Sequence, residues 1–470
     1  MSFRVIVAGA GVAGLVASNC LQKLGIDHVV VEKHGHVAPA IGAGISMWPH
    51  GMRILYQLGC LEQLQKVCVP INRFMCTNES GRLVHDNALY SHVQQNHGAS
   101  FYPFERRQFL QILYDALPDK SFIKTGVAVQ EIEQFADGIQ VTLSDGSVER
   151  GDMVLGCDGV HSLARTLMWQ YAGKVSPGLI AAKEKRSLKT LWKTLVLTAP
   201  AIPELGERDL TVSYHNRFTF LVTSQPHAVY FFVIFLRDEP LVWPKRERHS
   251  QHEAQALADL VMDKPVNDKI LFGEVWRRRY REGVISLEEC VMEHWHHGRI
   301  VLAGDAVHKV HPNMGLGGNS AIEGVACLMN HLDHALRTTK GSKPSATALN
   351  MAFAAYQSDQ KQRVKELMGI SNMVAKMHTS ATRLHTFVAN WVLPHLNDAS
   401  FAAYVGDYIA RAPKLNFLPC NGYASGQMPW LYKDEGELVG KDEGGELVGK
   451  DRKRAVSEYA IMALAHPAMI

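Results

Sequence analysis

At 470 residues the chain is longer than a single hydrophobic core commonly supports, so two joined domains with an appendage are expected. A hydrophobic share of 47% can fill a sizeable core, and a formal charge of +3 gives no reason to expect a nucleic-acid partner. The eight cysteines are scattered without a C-x-x-C pair, which argues for reduced, packed thiols of an intracellular protein and against a disulfide framework or a metal site.

The apolar residues Phe3 to Ala8 read as a strand. Gly9-Ala10-Gly11-Val12-Ala13-Gly14 then opens an amphipathic helix reaching Leu24, and Ile26 to Val31 is the next strand, ending in Glu32. Strand, glycine turn, helix, strand and acid are the dinucleotide-binding arrangement: Gly9 makes the turn, Gly11 lets a pyrophosphate approach, Gly14 lets helix and strand pack, and the acid takes ribose hydroxyls. Glu32 suits a free 2′-hydroxyl, as in FAD or NAD. The apolar run from Val5 to Cys20 is too short to span a bilayer, so no targeting segment is read here and a cytoplasmic location is expected.

Gly42-Ala43-Gly44-Ile45-Ser46 is a small-residue loop before a helix over Gly51 to Leu58, and Asn72 to Leu83 and Phe101 to Phe104 are strand material. Arg106 and Arg107 start an amphipathic helix with Phe109, Leu110, Leu113 and Leu117 on its inner side. An arginine at a helix start opposes the macrodipole, so an anionic neighbour is its natural compensation. Thr125 to Ile132, Gly138 to Leu143 and Ser147 to Arg150 form a small antiparallel unit turning at Asp145-Gly146. Val154-Leu155-Gly156 returns to the first sheet and ends at Asp158-Gly159, with Ser162 and Arg165 following.

From Thr190 to Glu282 the texture is β-rich and aromatic, with strands expected over Leu195–Thr198, Leu210–Tyr214, Phe218–Thr223 and Val229–Phe235, a helix over Ala254–Val261 and a further strand over Trp276–Tyr280. His294, His296 and His297 lack a carboxylate or cysteine at ligand spacing and read as edge histidines. Ile300 to Ala303 is a short buried strand closed by Gly304-Asp305. His311-Pro312 then presents Gly315-Leu316-Gly317-Gly318-Asn319 ahead of an apolar helix, Ala321 to Leu336. Backbone amides bared by those glycines beside a helix N-terminus suit something anionic and flat. A linker over Ser342–Ala346, a long helix from Ala348 to His378, and an apolar stretch, Leu384 to Leu396, too short to cross a membrane, complete the ordered part. The near-repeat KDEGELVG and KDEGGELVG after Lys433 reads as a flexible tail.

Four motifs, Gly9–Gly14 with Glu32, Arg106 in ERRQFLQIL, Gly156-Cys157-Asp158-Gly159 with Ser162 and Arg165, and Gly304-Asp305 through Asn319, occur in the order found in group A FAD-dependent monooxygenases of the para-hydroxybenzoate hydroxylase type. The chain resembles that family. The softer text VEKHGHVAPAIGAGISMWPHG and PKLNFLPCNGYASGQMPW is similar to its fungal members acting in meroterpenoid and indole-diterpene biosynthesis, the paxilline-type enzymes.

The resemblance implies an α/β fold: a Rossmann-like FAD-binding domain (1–185 and 283–340, with 60–105 serving the substrate side) interleaved with a β-sheet substrate domain (186–282). A C-terminal helical region (345–430) and a tail (431–470) would follow. It implies FAD contact at Gly9, Gly11, Gly14, Glu32, Gly44, Ser46, Arg106, Asp158, Asp305, Gly315 and Gly318. It further implies NADPH as a transient reductant, O₂ captured as a flavin C4a-hydroperoxide, and a lipophilic small-molecule substrate whose prenyl olefin is epoxidised. Aromatic hydroxylation of a phenolic polyketide and a non-catalytic flavin-binding protein are the alternatives. A downstream terpene cyclase is the partner the resemblance implies; the apolar stretch Leu384 to Leu396 either docks on the protein or lies on the surface of an intracellular membrane. Lys193 stands where related fungal enzymes carry an arginine, and lysine cannot reproduce a planar bidentate contact. Tyr214, ahead of Tyr230, is the catalytic candidate as a hydrogen-bond donor.

Overall fold

A computed structural model describes residues 3–39, 44–339, 342–392, 395 and 397–432. Two sheets organise it. The first has six strands in the order 296–297, 300–302, 153–156, 4–8, 27–32, 123–125. Arg4–Ala8 lies at its centre, parallel to both Met153–Gly156 and Asp27–Glu32. Val5, Ile6 and Val7 are wholly buried, as an unbroken apolar run in a sheet covered on both faces must be. The chain leaves Arg4–Ala8 toward one neighbour and returns on the other, so a crevice opens beyond the carboxyl ends Ala8, Glu32, Gly156 and Leu302. The three-stranded unit 129–134, 139–143 and 148–151 is the antiparallel sheet expected from its turn residues.

The second sheet has eight strands, in the order 308–309, 281–291, 189–200, 228–242, 218–225, 209–215, 73–77, 83–87. It is antiparallel except where Asp209–His215 runs parallel to Arg73–Thr77. Side-chain alternation sorts its two faces. Leu195, Leu197, Phe220, Val222, Phe231 and Val233 pack beneath Ala254, Ala258, Val275 and Trp276. Trp192, Leu210, Val212, Tyr214, Leu221 and Leu287 face the opposite way, toward the crevice and the C-terminal helices.

One expected element is corrected. Trp276 belongs to a helix, Phe272–Arg278, and the strand begins at Arg281. Phe272, Val275 and Trp276, at a helix-like spacing of three and four, are buried against the sheet, while Arg277 and Arg278, which follow them, are exposed. Burial of that stripe outweighed the β preference of its aromatics.

The C-terminal region is helical. Ala346–His378 packs along Gly317–Thr338 and carries Arg383–Phe387 against it, and Asp398–Ala410 packs on Leu89–His97, with Asp398 pairing with His85 of the second sheet's edge strand. No helix among the described residues is long and apolar enough to cross a membrane. The near-repeat after Lys433 lies outside the described residues, as do Gly42 and Ala43 of the small-residue loop and Pro394.

Candidate active site: a dinucleotide groove, a ring cavity and an apolar cavity

The first motif folds as its glycines require. Gly9 has φ +97°, and a Cβ there would meet the Cys157 carbonyl oxygen at 2.7 Å. A Cβ on Gly14 would lie 1.9 Å from the Gly9 carbonyl oxygen, so the helix Val12–Lys23 can start this close to the strand only with glycine. A Cβ on Gly11 meets no protein atom within 4 Å. Gly11 instead lines a groove of about 1090 Å³ together with Glu32, Arg106, Cys157, Asp158 and Gly159. One Glu32 carboxylate oxygen accepts the Ala10 amide at 2.8 Å and the other accepts the His34 amide at 2.9 Å, which fixes an anion at the strand end with lone pairs left for a ligand's hydroxyls. Asp158 lines the same groove, but its carboxylate accepts Ser162 Oγ at 2.5 Å, the Leu163 amide at 2.7 Å and the Ala164 amide at 3.0 Å, so it caps the helix Leu163–Val175.

The groove runs into a cavity of about 1780 Å³ that shares Gly11, Arg106, Cys157 and Gly159 with it. Its floor is Gly44, Ile45, Ser46, Asp305, Gly315, Gly317 and Gly318, and its roof is Leu221, Thr223, Phe232, Ile285 and Leu287 of the second sheet. Residues far apart in sequence are locked together here. Asn319 Oδ1 accepts the Trp48 amide at 2.9 Å, and Asn319 Nδ2 donates to the Ser46 and Gly315 carbonyls at 2.9 and 2.8 Å. Gly315 has φ +64°, and its Cβ would strike Ser46 Cβ at 2.7 Å, while a Cβ on Gly318 would strike Ile45 at the same distance. Buried Arg165 donates to the Ala306 carbonyl at 2.7 Å and the Val160 carbonyl at 2.8 Å, tying the third and fourth motifs. Arg106 starts its helix inside the site, where burial lowers its pKa and the carboxylates of Asp305 and Glu32 act against that. Lys309 donates to Asp305 at 2.5 Å.

A continuous channel with a fixed carboxylate at one end, glycine-bared amides at the middle and a flat apolar roof at the other suits a nucleotide joined to a planar ring. Residues 2–368 match the family model described as an FAD binding domain. The chain is 36% identical over 420 residues to the FAD-dependent monooxygenase DEP2 of Alternaria brassicicola, covering 89% of this chain and 79% of that one. It is 31% identical over 433 residues to the FAD-dependent monooxygenase atmM of Aspergillus flavus, covering 92% and 90%. The chain belongs to the FAD-dependent monooxygenases. In fold it is similar to HpxO of Klebsiella pneumoniae, solved with FAD and uric acid, at a TM-score of 0.67 and 21% identity over 87% of this chain and 97% of that one.

The cofactor of this monooxygenase is therefore FAD, and the site fits it: Gly11 opens onto the groove where a diphosphate would pass, and Gly315 and Gly318 leave no room for a side chain on the cavity floor. Beyond the ring cavity the enzyme holds a second, apolar cavity, which shares Leu210 and Asn313 with the first. Its wall combines Trp48, Phe74, Tyr90 and Met314 with Met373, Met377, Ala389 and Phe401 of the C-terminal region. No lysine or arginine is among its described lining residues; the polar ones include His85, Asn313, His378 and Asp398. His85 and Asp398 pair at 3.2 Å. Asn313 Nδ2 lies 3.3 Å from His378 Nδ1, and Trp192 packs edge-on against His311. Burial pushes His311 and His378 down to about 3, so both are neutral at physiological pH.

Tyr214 is brought to this apolar cavity, where its hydroxyl donates to Cys76 Sγ at 3.0 Å and its pKa is raised well above the ordinary value by burial. Tyr230 is buried in the sheet, its pKa also raised by burial. Lys193 is turned away from both cavities. It shares a sheet face with Leu195 and Leu197 and pairs with Glu253 at 2.7 Å and Glu247 at 3.4 Å. The residues that sequence reading did not single out are those of the apolar cavity, Asn313, Met373, Met377 and His378 among them. The helix carrying three of them was legible, but the direction of its apolar side was not.

Proposed function

We propose that the enzyme uses NADPH and O₂ to epoxidise a prenyl olefin of a lipophilic meroterpenoid or related terpenoid in fungal secondary-metabolite biosynthesis. The observation that carries this reading is the apolar cavity joined to the ring cavity at Asn313, lined by aromatic and methionine side chains, with no cation among its described residues to clamp a carboxylate. Bound FAD supplies the redox chemistry, accepting reducing equivalents from a nicotinamide and activating dioxygen. The protein's own residues do the rest. Glu32 holds the adenosine ribose, the amide-rich turn Gly315–Gly318 supports the ring edge, and Arg106 offsets phosphate charge. The two neutral histidines and the apolar walls keep water from the reacting atoms, and Asn313, which lines both cavities, is where an extended chain would pass toward the ring. Tyr214 is assigned to the cavity wall, because its hydroxyl is engaged by Cys76 and too weakly acidic to give up a proton.

The epoxide so formed is the substrate class of a cation-forming terpene cyclase, which would act next. We assign the enzyme to the cytoplasm, peripheral to an intracellular membrane. Leu384, Phe387 and Trp391 support the membrane contact, being 46%, 57% and 67% exposed beside Ala389 of the cavity wall.

The test is incubation of the yellow protein with NADPH and a farnesylated phenol. Substrate-dependent NADPH oxidation with one oxygen added on the prenyl chain is expected. Oxygen on the ring would instead give the phenolic hydroxylase, and no product with any lipophilic acceptor would overturn the reading. Ala389→Trp, which fills the cavity, should abolish turnover while leaving the flavin bound.

A further inference from the structure

Beside the ring cavity lies a small cleft bounded by His161, Thr190, Trp243, Lys245, Arg246 and Glu247, among others. It shares Ser286 and Glu288 with the ring cavity and His161 with the dinucleotide groove. The cleft therefore borders both the groove and the ring cavity.

The charges of this cleft do not balance. Glu247 is taken by Arg237 at 2.6 Å and by Lys193 at 3.4 Å, and Arg237 holds its carboxyl down to about 2. Glu288 faces His161 at 3.3 Å. Lys245 and Arg246, exposed on the loop after Trp243, make no ion pair among the described residues. Arg246 also lies close enough to Arg165 to push the buried guanidinium's pKa down, although burial is the larger cause. Two cations without counter-ions, beside a third positive group, form a site that an anion would relieve. Its adjacency to the ring cavity calls for an anion carried by the molecule that must meet the flavin. No second glycine-rich nucleotide fold is legible elsewhere in the sequence.

We propose that Lys245 and Arg246 bind a phosphate of the nicotinamide dinucleotide reductant, whose nicotinamide enters the ring cavity past Ser286 and Glu288. This rests on the reading that such a dinucleotide is the reductant, but it is independent of which substrate is oxygenated. Two phosphate sources are available on the ligand. The 2′-phosphate is present only in NADPH, and the diphosphate is present in NADH as well.

Anaerobic reduction of the holoenzyme, followed by bleaching of the flavin's visible absorbance, separates them without requiring any oxygenated product. Lys245→Ala/Arg246→Ala should raise the apparent Kd for NADPH by about tenfold or more with the limiting reduction rate retained. The conservative pair Lys245→Arg/Arg246→Lys should restore most of it. If NADH binding is unaffected, the 2′-phosphate is the bound group and the loop selects NADPH. If NADH weakens equally, the diphosphate is bound. Calorimetry with 2′,5′-ADP against 5′-ADP gives the same contrast with no turnover. Unchanged affinity for both dinucleotides in the Ala pair, with its flavin content and melting temperature those of the parent, would overturn the proposal. An enzyme that is reduced normally yet yields no epoxide would leave this site standing and sink only the substrate reading.

Discussion

The Ala10 amide donates to the Glu32 carboxylate at 2.8 Å, bridging the glycine turn and the end of the neighbouring strand. Removing the acid removes both this bridge and the proposed ribose acceptor. Glu32→Ala should therefore purify with little flavin, its affinity for added FAD lowered by at least about tenfold. Asp305→Ala should do the same from the other end of the channel. Full visible absorbance in both variants would contradict the positions assigned to the two acids.

Gly11 and Gly14 should fail differently. Gly14→Ala drives a Cβ to within 1.9 Å of the Gly9 carbonyl oxygen, so helix and strand must part, at a cost of about 1–3 kcal/mol in stability. The Cβ of Gly11→Ala meets no protein atom but projects toward the groove. It should leave the apoprotein's melting temperature unchanged and reduce FAD retention. Thermal melts of flavin-stripped protein beside flavin titrations distinguish the two outcomes.

Tyr214→Phe deletes one buried hydrogen bond to Cys76, a stability loss of about 1 kcal/mol, and should leave kcat within about threefold. Lys193→Ala should also spare turnover, because Lys193 lines neither the ring cavity nor the apolar cavity and its ammonium is engaged by Glu253 and Glu247. A large fall in kcat for either variant, with flavin content retained, would return that residue to the chemistry.

The protein should be acid-labile. Burial lowers the pKa of His50, His311 and His378 to about 3 and of His97, His215 and His308 to about 4. Each folded value lies below the ordinary 6.5, so the unfolded chain takes up the protons first. The stability contributed by neutral burial is complete above pH 6.5 and is lost as pH falls through 6.5 toward 4, by about 1.4 kcal/mol per histidine per unit. Glu289, pushed up to about 8 by burial, acts oppositely, contributing stability that fades as pH rises from 4.5 to 8. Net uptake of about five protons on unfolding near pH 5.5 is expected, seen as a steep fall in melting temperature below pH 6.

Local chemistry was legible in the sequence where one short segment sets its own geometry. The glycine turn with its flanking strands, the Asp145-Gly146 hairpin and the strand ending at Gly304-Asp305 all fold as their residues dictate. The reading failed where tertiary burial decides. Trp276 and Tyr280 look β-like until the stripe Phe272, Val275 and Trp276 finds a sheet to cover. The facing of Lys193 was hidden for a related reason: a register shift between Thr190 and Trp192 resets the alternation along its strand. The apolar cavity left no local trace, since its wall draws on residues from Trp48 to Phe401.

Met373, Met377, His378, Ala389 and Phe401 all follow residue 368, where the match to the shared FAD-binding model stops. On the proposed function, which molecules are accepted would then be set in part by a C-terminal graft lying beyond the FAD-binding match. Exchanging that graft between relatives would be a natural route to new oxidations.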